Sequence, residues 1–108
     1  ILLAAKYGVP VCPHGGGIAL CNMIQHYGMW DQIAVAGHSD TQLVEYIDFL
    51  QDTVEHPVAV RDGCYVTPTA PGWGLEFRPD FIAQHRYPEG AQWKDRPPHK
   101  KGVQFEAN

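Results

Sequence analysis

The chain has 108 residues and 44% hydrophobic content, which places it in the size range of a single domain with enough apolar side chains for a core. Its formal net charge is −4, from 8 Lys and Arg against 12 Asp and Glu, so no basic field would gather nucleic acid. No apolar run approaches the roughly 20 residues that a membrane span needs. The composition therefore predicts neither nucleic acid nor a membrane as a partner.

The cysteines are odd in number and lack the spacing of a disulfide framework, so we interpret them as free thiols: Cys12, Cys21 and Cys64. Free thiols are typical of a reducing compartment, which predicts a cytoplasmic protein. The first residue is Ile1 rather than methionine, and we expect the natural sequence to begin upstream. A mitochondrial targeting segment would lie in that upstream part, so this alternative stays open.

A helix end, a strand and a second helix are predicted at the start of the chain. Residues 1–6 predict the second half of a helix that closes at Gly8. The apolar run Val9–Cys12 predicts a short buried strand, and three glycines then lead into an apolar helix over Ile18–Trp30. His14 follows the strand tip. A barrel enzyme keeps its chemistry at the C-terminal ends of its strands, so His14 is a candidate catalytic residue.

The next stretch predicts a second strand and helix. Gln32–Gly37 predicts a short strand, and Thr41–Val54 has apolar residues at helical spacing. Asp40 lies between the two, as a possible N-cap of the helix or as a site residue near the strand tip. Two strand-helix units predict an α/β fold with parallel strands. A parallel sheet is normally buried on both faces, and two strands with their helices are too few to achieve this by themselves.

The remainder of the chain predicts mostly extended structure. Val58–Val66 predicts a hairpin that turns at Asp62-Gly63, and a short helix is predicted over Pro79–His85. Prolines and glycines interrupt residues 67–76, which predicts a tail laid over another surface. The domain organisation that we predict is residues 1–57 as the α/β part, 58–93 as an extension and 94–108 as a polar terminus.

Several separated motifs carry a resemblance to a known family. They are Ala4-Ala-Lys-x-Gly-Val-Pro-Val-Cys-Pro-His-x-Gly-Gly, Gln25-His26, Glu45-Tyr-Ile-Asp48, and Pro68-Thr-Ala-Pro-Gly72 with Glu76. In this order they resemble the C-terminal portion of L-fuconate dehydratase and its relatives, in the mandelate racemase branch of the enolase superfamily. The sequence departs from the family pattern at Gly15 after the histidine, at Asn22 where Glu is common, and at residues 38–40. Such changes near the site would alter which sugar acid fits.

The resemblance implies a modified (β/α)₈ TIM barrel with a capping domain, assembled as a homo-oligomer. This chain would supply the last two strand-helix units of the barrel, followed by an extended tail that packs on the capping domain. The family holds Mg²⁺ through three carboxylates and uses a lysine base, and all of these would lie upstream of Ile1. No metal ligand is therefore assigned within the chain, and we expect the chain alone to be inactive.

The activity that the resemblance implies is dehydration of an acid sugar to a 2-keto-3-deoxy acid, by magnesium-dependent removal of the α proton and β-elimination of water. His14 matches the family histidine that protonates the departing hydroxyl, a task that suits an imidazole. Glu45 falls on the family's Glu-Tyr-x-Asp motif and would contact the polar end of the substrate. A solvated helix position is the alternative for Glu45, and Asp40 competes with it for that role.

Other functions stay open. Within the superfamily, the alternatives are L-galactonate or another aldonate as substrate, or a racemase. In another class, Cys12, His14, Cys21 and His26 could hold zinc, but two of them share a predicted strand and two a helix, unlike the paired ligands of small zinc modules. A non-catalytic relative that serves as an interaction protein is a third possibility.

Overall fold

The computed structural model describes residues 1–37 and 42–94. Its α-helices are α1 (Leu2–Lys6), α2 (Leu20–Trp30), α3 (Pro79–His85) and α4 (Ala91–Lys94). A π-helical segment (Asp31–Ala36) continues α2, and a 3₁₀ helix covers Asp48–Thr53. The two strands β1 (Val60–Arg61) and β2 (Cys64–Tyr65) form an antiparallel hairpin. The described part is thus mixed, with helices and a few short strands.

The end of α1 confirms the predicted glycine stop. Gly8 adopts a left-handed conformation with φ +65°, and its N–H donates to the Ala5 carbonyl at 3.0 Å. The N–H of Val9 donates to the Ala4 carbonyl, also at 3.0 Å. These two bonds form a Schellman motif, which satisfies carbonyls that the last helical turn would otherwise leave unpaired.

The strand predicted at Val9–Cys12 is wrong, because no strand is assigned there. A strand needs a neighbouring backbone to complete its hydrogen-bond ladder. Within the described residues, Val9 bonds back to α1, and a link to a distant segment is found only just beyond the run, from the Glu45 N–H to the Pro13 carbonyl at 3.3 Å. The run is apolar enough for a buried strand but has no ladder partner in this part of the chain.

The predicted apolar helix is confirmed as α2. Its buried residues include Cys21, Ile24 and Gln25, and Gly28 faces Val44 so closely that any side chain at position 28 would collide with it. Val44 of the segment 42–47 therefore lies against α2. Burial of this helix face is the main apolar packing of the first part of the chain.

The strand predicted at Gln32–Gly37 is also wrong, because Asp31–Ala36 is helical. The backbone of Trp30 keeps helical angles (φ −63°, ψ −43°), so the helix runs on into the π segment. Gly37 ends it with φ +71°, and its N–H donates to the Gln32 carbonyl at 3.0 Å. Without a strand beside it among the described residues, this segment satisfies its backbone groups within the helix.

The helix predicted over Thr41–Val54 forms only in its second half, as the 3₁₀ helix. Residues 42–47 form no helix or strand, and Ile47 is extended, with φ −123° and ψ 103°. Contacts of Val44 and Glu45 with other parts of the chain hold this segment open, so tertiary structure overrides the helical spacing. Asp40 and Thr41 lie outside the described residues.

The hairpin is confirmed together with its turn. Val60 pairs with Tyr65 and Arg61 with Cys64, while Asp62 and Gly63 have φ values of 52° and 76°. Positive φ at both central residues is the mark of a type I′ turn, whose twist matches that of the strands.

The residues after the hairpin return to the first part of the chain. Val54 and Phe77 form an isolated antiparallel bridge. The Glu55 N–H donates to the Glu76 carbonyl at 2.8 Å, and the Arg78 N–H donates to the Thr53 carbonyl at 3.1 Å. The predicted tail is therefore tied by its backbone to residues 53–55.

The chain divides into two compact units, Ile1–Arg78 and a second that begins at Pro79. The second unit contains the helix predicted over Pro79–His85, which is confirmed as α3, and the indole N–H of Trp93 donates to the His85 carbonyl at 2.6 Å. The predicted domain boundaries and the complete barrel stay predictions. No helix in the described ranges is long and apolar enough to cross a bilayer.

Candidate active site

The structure brings together the two site residues that the sequence singles out. Nδ1 of His14 lies 2.6 Å from Oε2 of Glu45, although 31 positions separate the two in the sequence. The His14 side chain is 76% exposed and that of Glu45 is 37% exposed. One ring nitrogen of His14 is therefore engaged by a carboxylate while most of the ring faces solvent, which leaves it open to a ligand.

The glycines that follow His14 make room for this pair. The Gly15 N–H donates to Oε2 of Glu45 at 2.5 Å, and a Cβ at position 15 would meet the Glu45 carbonyl at 3.1 Å and the Cys21 sulfur at 3.3 Å. Any side chain on Gly16 would collide with the imidazole of His14. The ring thus lies over Gly16, and the lack of side chains here permits the close approach.

Glu45 is held by its backbone as well as by its carboxylate. Its N–H donates to the Pro13 carbonyl at 3.3 Å, and its carbonyl accepts a hydrogen bond from the Tyr65 hydroxyl at 2.6 Å. Together with the Gly15 contact, these bonds attach Glu45 to the loop on either side of His14 and to the hairpin. These bonds hold in place a segment that forms neither a helix nor a strand.

Tyr65 is a site residue that sequence reasoning missed. The pKa of the Tyr65 hydroxyl is raised well above its ordinary value of 10.0. Partial burial is the largest cause, and hydrogen bonding to the Cys21 thiol is the second. The hydroxyl is therefore a neutral donor throughout the physiological range. The turn at Asp62-Gly63 predicts the strand that carries Tyr65, but no local pattern indicates that this side chain reaches Glu45.

Tyr46 lies beside the site on the exposed side. Its hydroxyl donates to Oδ1 of Asp48 at 2.9 Å, and this hydrogen bond is the main cause that raises the pKa of the Tyr46 hydroxyl. The Tyr46 and Tyr65 rings meet edge to face, with centroids 6.1 Å apart and planes at 74°. The two tyrosines therefore pack together but donate to different acceptors.

The residues of the alternative zinc site are not gathered into a metal-binding group. Within residues 1–37 and 42–94, no three His, Cys, Asp or Glu side chains lie where they could hold one ion. Nε2 of His26 lies 3.2 Å from the Trp73 carbonyl, and the two rings pack edge to face at 5.2 Å. His26 is thus a packing residue in the structure, and the zinc interpretation has no geometric support there.

Comparison with known proteins places this chain in a family. Residues 1–81 match the family model described as "Enolase C-terminal domain-like". The chain belongs to this family. The predicted membership of the enolase superfamily is thereby confirmed, and the superfamily is one of lyases and racemases.

The similar curated proteins are all several times longer than this chain. It is 39% identical over 94 residues to Mitochondrial enolase superfamily member 1 of Xenopus laevis, a match that covers 87% of this chain and 21% of that protein. L-galactonate dehydratase of Hypocrea jecorina is 37% identical over 95 residues, covering 86% and 21% respectively. The chain thus spans about a fifth of the length of these relatives.

A solved structure of a similar protein also supports membership of this family. The crystal structure of human Mitochondrial enolase superfamily member 1 superposes with a TM-score of 0.79 at 36% identity, over 90% of this chain and 22% of that one. The fold described here is therefore that of part of an enolase C-terminal domain.

Members of the superfamily generally use Mg²⁺. Mg²⁺ is bound through carboxylates and other oxygen ligands, and the described residues offer no such cluster. The His14–Glu45 pair is a single carboxylate with an imidazole and an amide already on the same oxygen, so it does not fit a magnesium site.

Proposed function

We propose that this chain supplies the acid half of the active site of an acid-sugar dehydratase. The reaction removes the α proton of a sugar acid and eliminates water from the neighbouring carbon, giving a 2-keto-3-deoxy acid. L-Fuconate is the first candidate substrate and L-galactonate or another aldonate the second, the latter supported by the relative named L-galactonate dehydratase. The observation that carries the proposal is the exposed imidazole of His14, backed by the carboxylate of Glu45.

His14 acts as the general acid in this proposal. Because Nδ1 is engaged by Glu45, Nε2 is the ring atom from which a proton passes to the departing hydroxyl. The carbon–oxygen bond breaks as that proton arrives, water leaves, and the enol that remains converts to the 2-keto product. The imidazolium thereby becomes a neutral ring whose Nδ1 proton stays on the hydrogen bond to the carboxylate.

Glu45 contributes a second contact in this proposal. Its Oε2 atom receives both the Gly15 N–H and the His14 ring, so Oε1 is the oxygen that would accept a hydrogen bond from a substrate hydroxyl. A sugar acid has several such donors. One carboxylate would then orient both the acid and the substrate.

Such a reaction also needs a base and a metal. The resemblance assigns both to upstream strands of a TIM barrel, and we propose that this barrel completes the site. No step above depends on where the metal lies. Assembly as a homo-oligomer and a cytoplasmic location stay predictions of the sequence.

The test uses a protein that joins this chain to the rest of the enolase-type fold (the full protein). It is incubated with Mg²⁺ and a panel of acid sugars that includes L-fuconate and L-galactonate, and 2-keto-3-deoxy products are detected. We expect strong turnover of one substrate. Exchange of the α hydrogen with deuterated solvent, without loss of water, would instead support the racemase and contradict dehydration.

His14 is tested by His14→Asn in the full protein. Removal of a general acid lowers turnover by about 10²–10⁴-fold, and we expect a loss of that size with little effect on Mg²⁺ binding. His56→Asn is the matched control, because His56 is exposed and its contact with Asn22 uses only its backbone carbonyl. Near-normal turnover of the His14 variant would remove His14 from the mechanism.

A further inference from the structure

Within the described residues, few hydrogen bonds hold Glu45 in place. It lies in the segment 42–47, which has no helix or strand of its own to hold it. Its backbone N–H donates to Pro13 over a long 3.3 Å, whereas its carbonyl receives the Tyr65 hydroxyl at 2.6 Å. The shorter of the two backbone bonds therefore comes from the hairpin.

We propose that Tyr65 is a positioning residue for the His14–Glu45 pair, because its hydroxyl fixes the backbone of Glu45 and so holds the carboxylate that contacts His14. The catalytic consequence of this inference rests on the proposed function. The Tyr65 hydroxyl donates to the backbone carbonyl of Glu45, whereas His14 is engaged by the carboxylate of the same residue, so the effect of Tyr65 passes through Glu45.

The hairpin makes Tyr65 a dependable donor. The pairing of Val60 with Tyr65 fixes the strand register, and the Val66 N–H donates to the Ala59 carbonyl at 2.8 Å just beyond it. Partial burial keeps the phenol in its neutral, donating form. The ring also packs edge to face on Tyr46, the residue that follows Glu45.

Loss of the hydroxyl leaves the Glu45 carbonyl without this donor. The backbone of Glu45 is then held by the long Pro13 bond alone among the backbone contacts of the described residues. The carboxylate keeps the Gly15 N–H but loses its fixed distance from Nδ1 of His14. The ring then populates its other tautomer more often, because the bonded partner of Nδ1 decides where the proton lies.

The test compares Tyr65→Phe with Tyr46→Phe in the full protein. Each variant removes one hydroxyl from one of two touching rings, but only that of Tyr65 reaches Glu45, whereas that of Tyr46 reaches Asp48. The ¹⁵N chemical shifts of labelled histidine report the tautomer of His14, assigned with His14→Asn. Glu45→Ala marks the shifts of an unpaired ring, and Glu55→Ala controls for loss of an exposed carboxylate.

We expect Tyr65→Phe to move the His14 shifts from the wild-type values toward those of Glu45→Ala, while Tyr46→Phe and Glu55→Ala stay at wild type. With an active full protein, kcat of Tyr65→Phe falls by about five- to tenfold, the equivalent of one hydrogen bond. Wild-type shifts in Tyr65→Phe, an equal movement in Tyr46→Phe, or no change in Glu45→Ala would each overturn the inference.

The chemical shifts separate this inference from the proposed function. If no acid sugar is dehydrated but Tyr65→Phe alters the His14 ring as described, Tyr65 positions the pair and the proposed reaction is wrong. If dehydration occurs and the shifts do not move, the reaction stands and the role of Tyr65 is overturned.

Discussion

The side chain of Asn22 shows how a single buried residue joins distant segments. It is 2% exposed, and its Nδ2 atom donates to the carbonyls of His56 and Gly74, each at 2.9 Å. Helix α2 is thereby attached to the loop before the hairpin and to the tail after it. An ionised Glu at this position could not donate to the two carbonyls.

Replacement of Asn22 by Ala leaves both carbonyls without this donor, and we expect a loss of about 2–3 kcal/mol in the free energy of unfolding. Asn22→Asp keeps the shape but turns a donor toward two carbonyls into an acceptor, so it should cost at least as much at neutral pH. The unfolding midpoint of the full protein measures both. Gln32→Ala, which removes an exposed amide, should change little, and a similar loss there would contradict the explanation.

The Tyr65 hydroxyl predicts a dependence of stability on alkaline pH. The pKa of this hydroxyl in the folded state is raised above the unfolded value of 10.0. Its contribution to the free energy of unfolding is therefore fully present below pH 10 and decreases as the pH rises beyond that. We expect the ¹³C resonances of Tyr65 to titrate above the ordinary tyrosine range. Between pH 10 and 12, Tyr65→Phe should lose less stability than the wild type, and parallel curves would contradict this.

Among the elements, those with a local code could be predicted from the sequence. The stop of α1 depends on Gly8 and the hairpin turn on Asp62-Gly63, and in each case the backbone angle that the structure shows is the one these residues favour. The strands predicted at residues 9–12 and 32–37 depend on partners elsewhere. A strand is completed by its neighbours, so an apolar run alone does not decide whether it forms.

In the candidate site, too, the local features could be predicted from the sequence and the long-range contacts could not. His14 could be predicted from the glycines after it and from its motif, and Glu45 from the motif that it shares with the family. Their contact at 2.6 Å could not be predicted by helical spacing, because Glu45 lies in a segment that is not helical. Tyr65 reaches the site only through the long-range packing of the hairpin.

The glycine loop after His14 gives a prediction for an element of the site. Ala at position 16 would place its Cβ inside the space of the His14 ring, so we expect Gly16→Ala to displace the ring and lower kcat of the full protein by at least about tenfold. Gly8→Ala is the matched control. A Cβ at position 8 would meet no atom within 4 Å, but the residue has a left-handed backbone with φ +65°, which strains any side chain. We therefore expect Gly8→Ala to lower the free energy of unfolding by about 1 kcal/mol and to leave kcat unchanged.

At the scale of the whole molecule, the described residues leave much apolar surface uncovered. Exposed apolar side chains include Ile33 at 81%, Phe49 at 77% and Leu3 at 70%, whereas the buried apolar residues are mostly small. An open cleft of about 640 Å³ adds the rings of Tyr27 and Trp73 to this surface. Patches of this kind mark surfaces that pack against other protein or drive aggregation.

We therefore expect the 108-residue chain by itself to aggregate or to behave as a loosely packed state. Calorimetry should show no cooperative unfolding transition, and a dye that binds exposed apolar surface should fluoresce strongly. In the full protein the same dye should bind weakly, because the rest of the enolase-type fold would cover these side chains. A monodisperse monomer of the isolated chain with a cooperative transition would contradict this expectation, since residues as exposed as Ile33 and Phe49 would then need no cover.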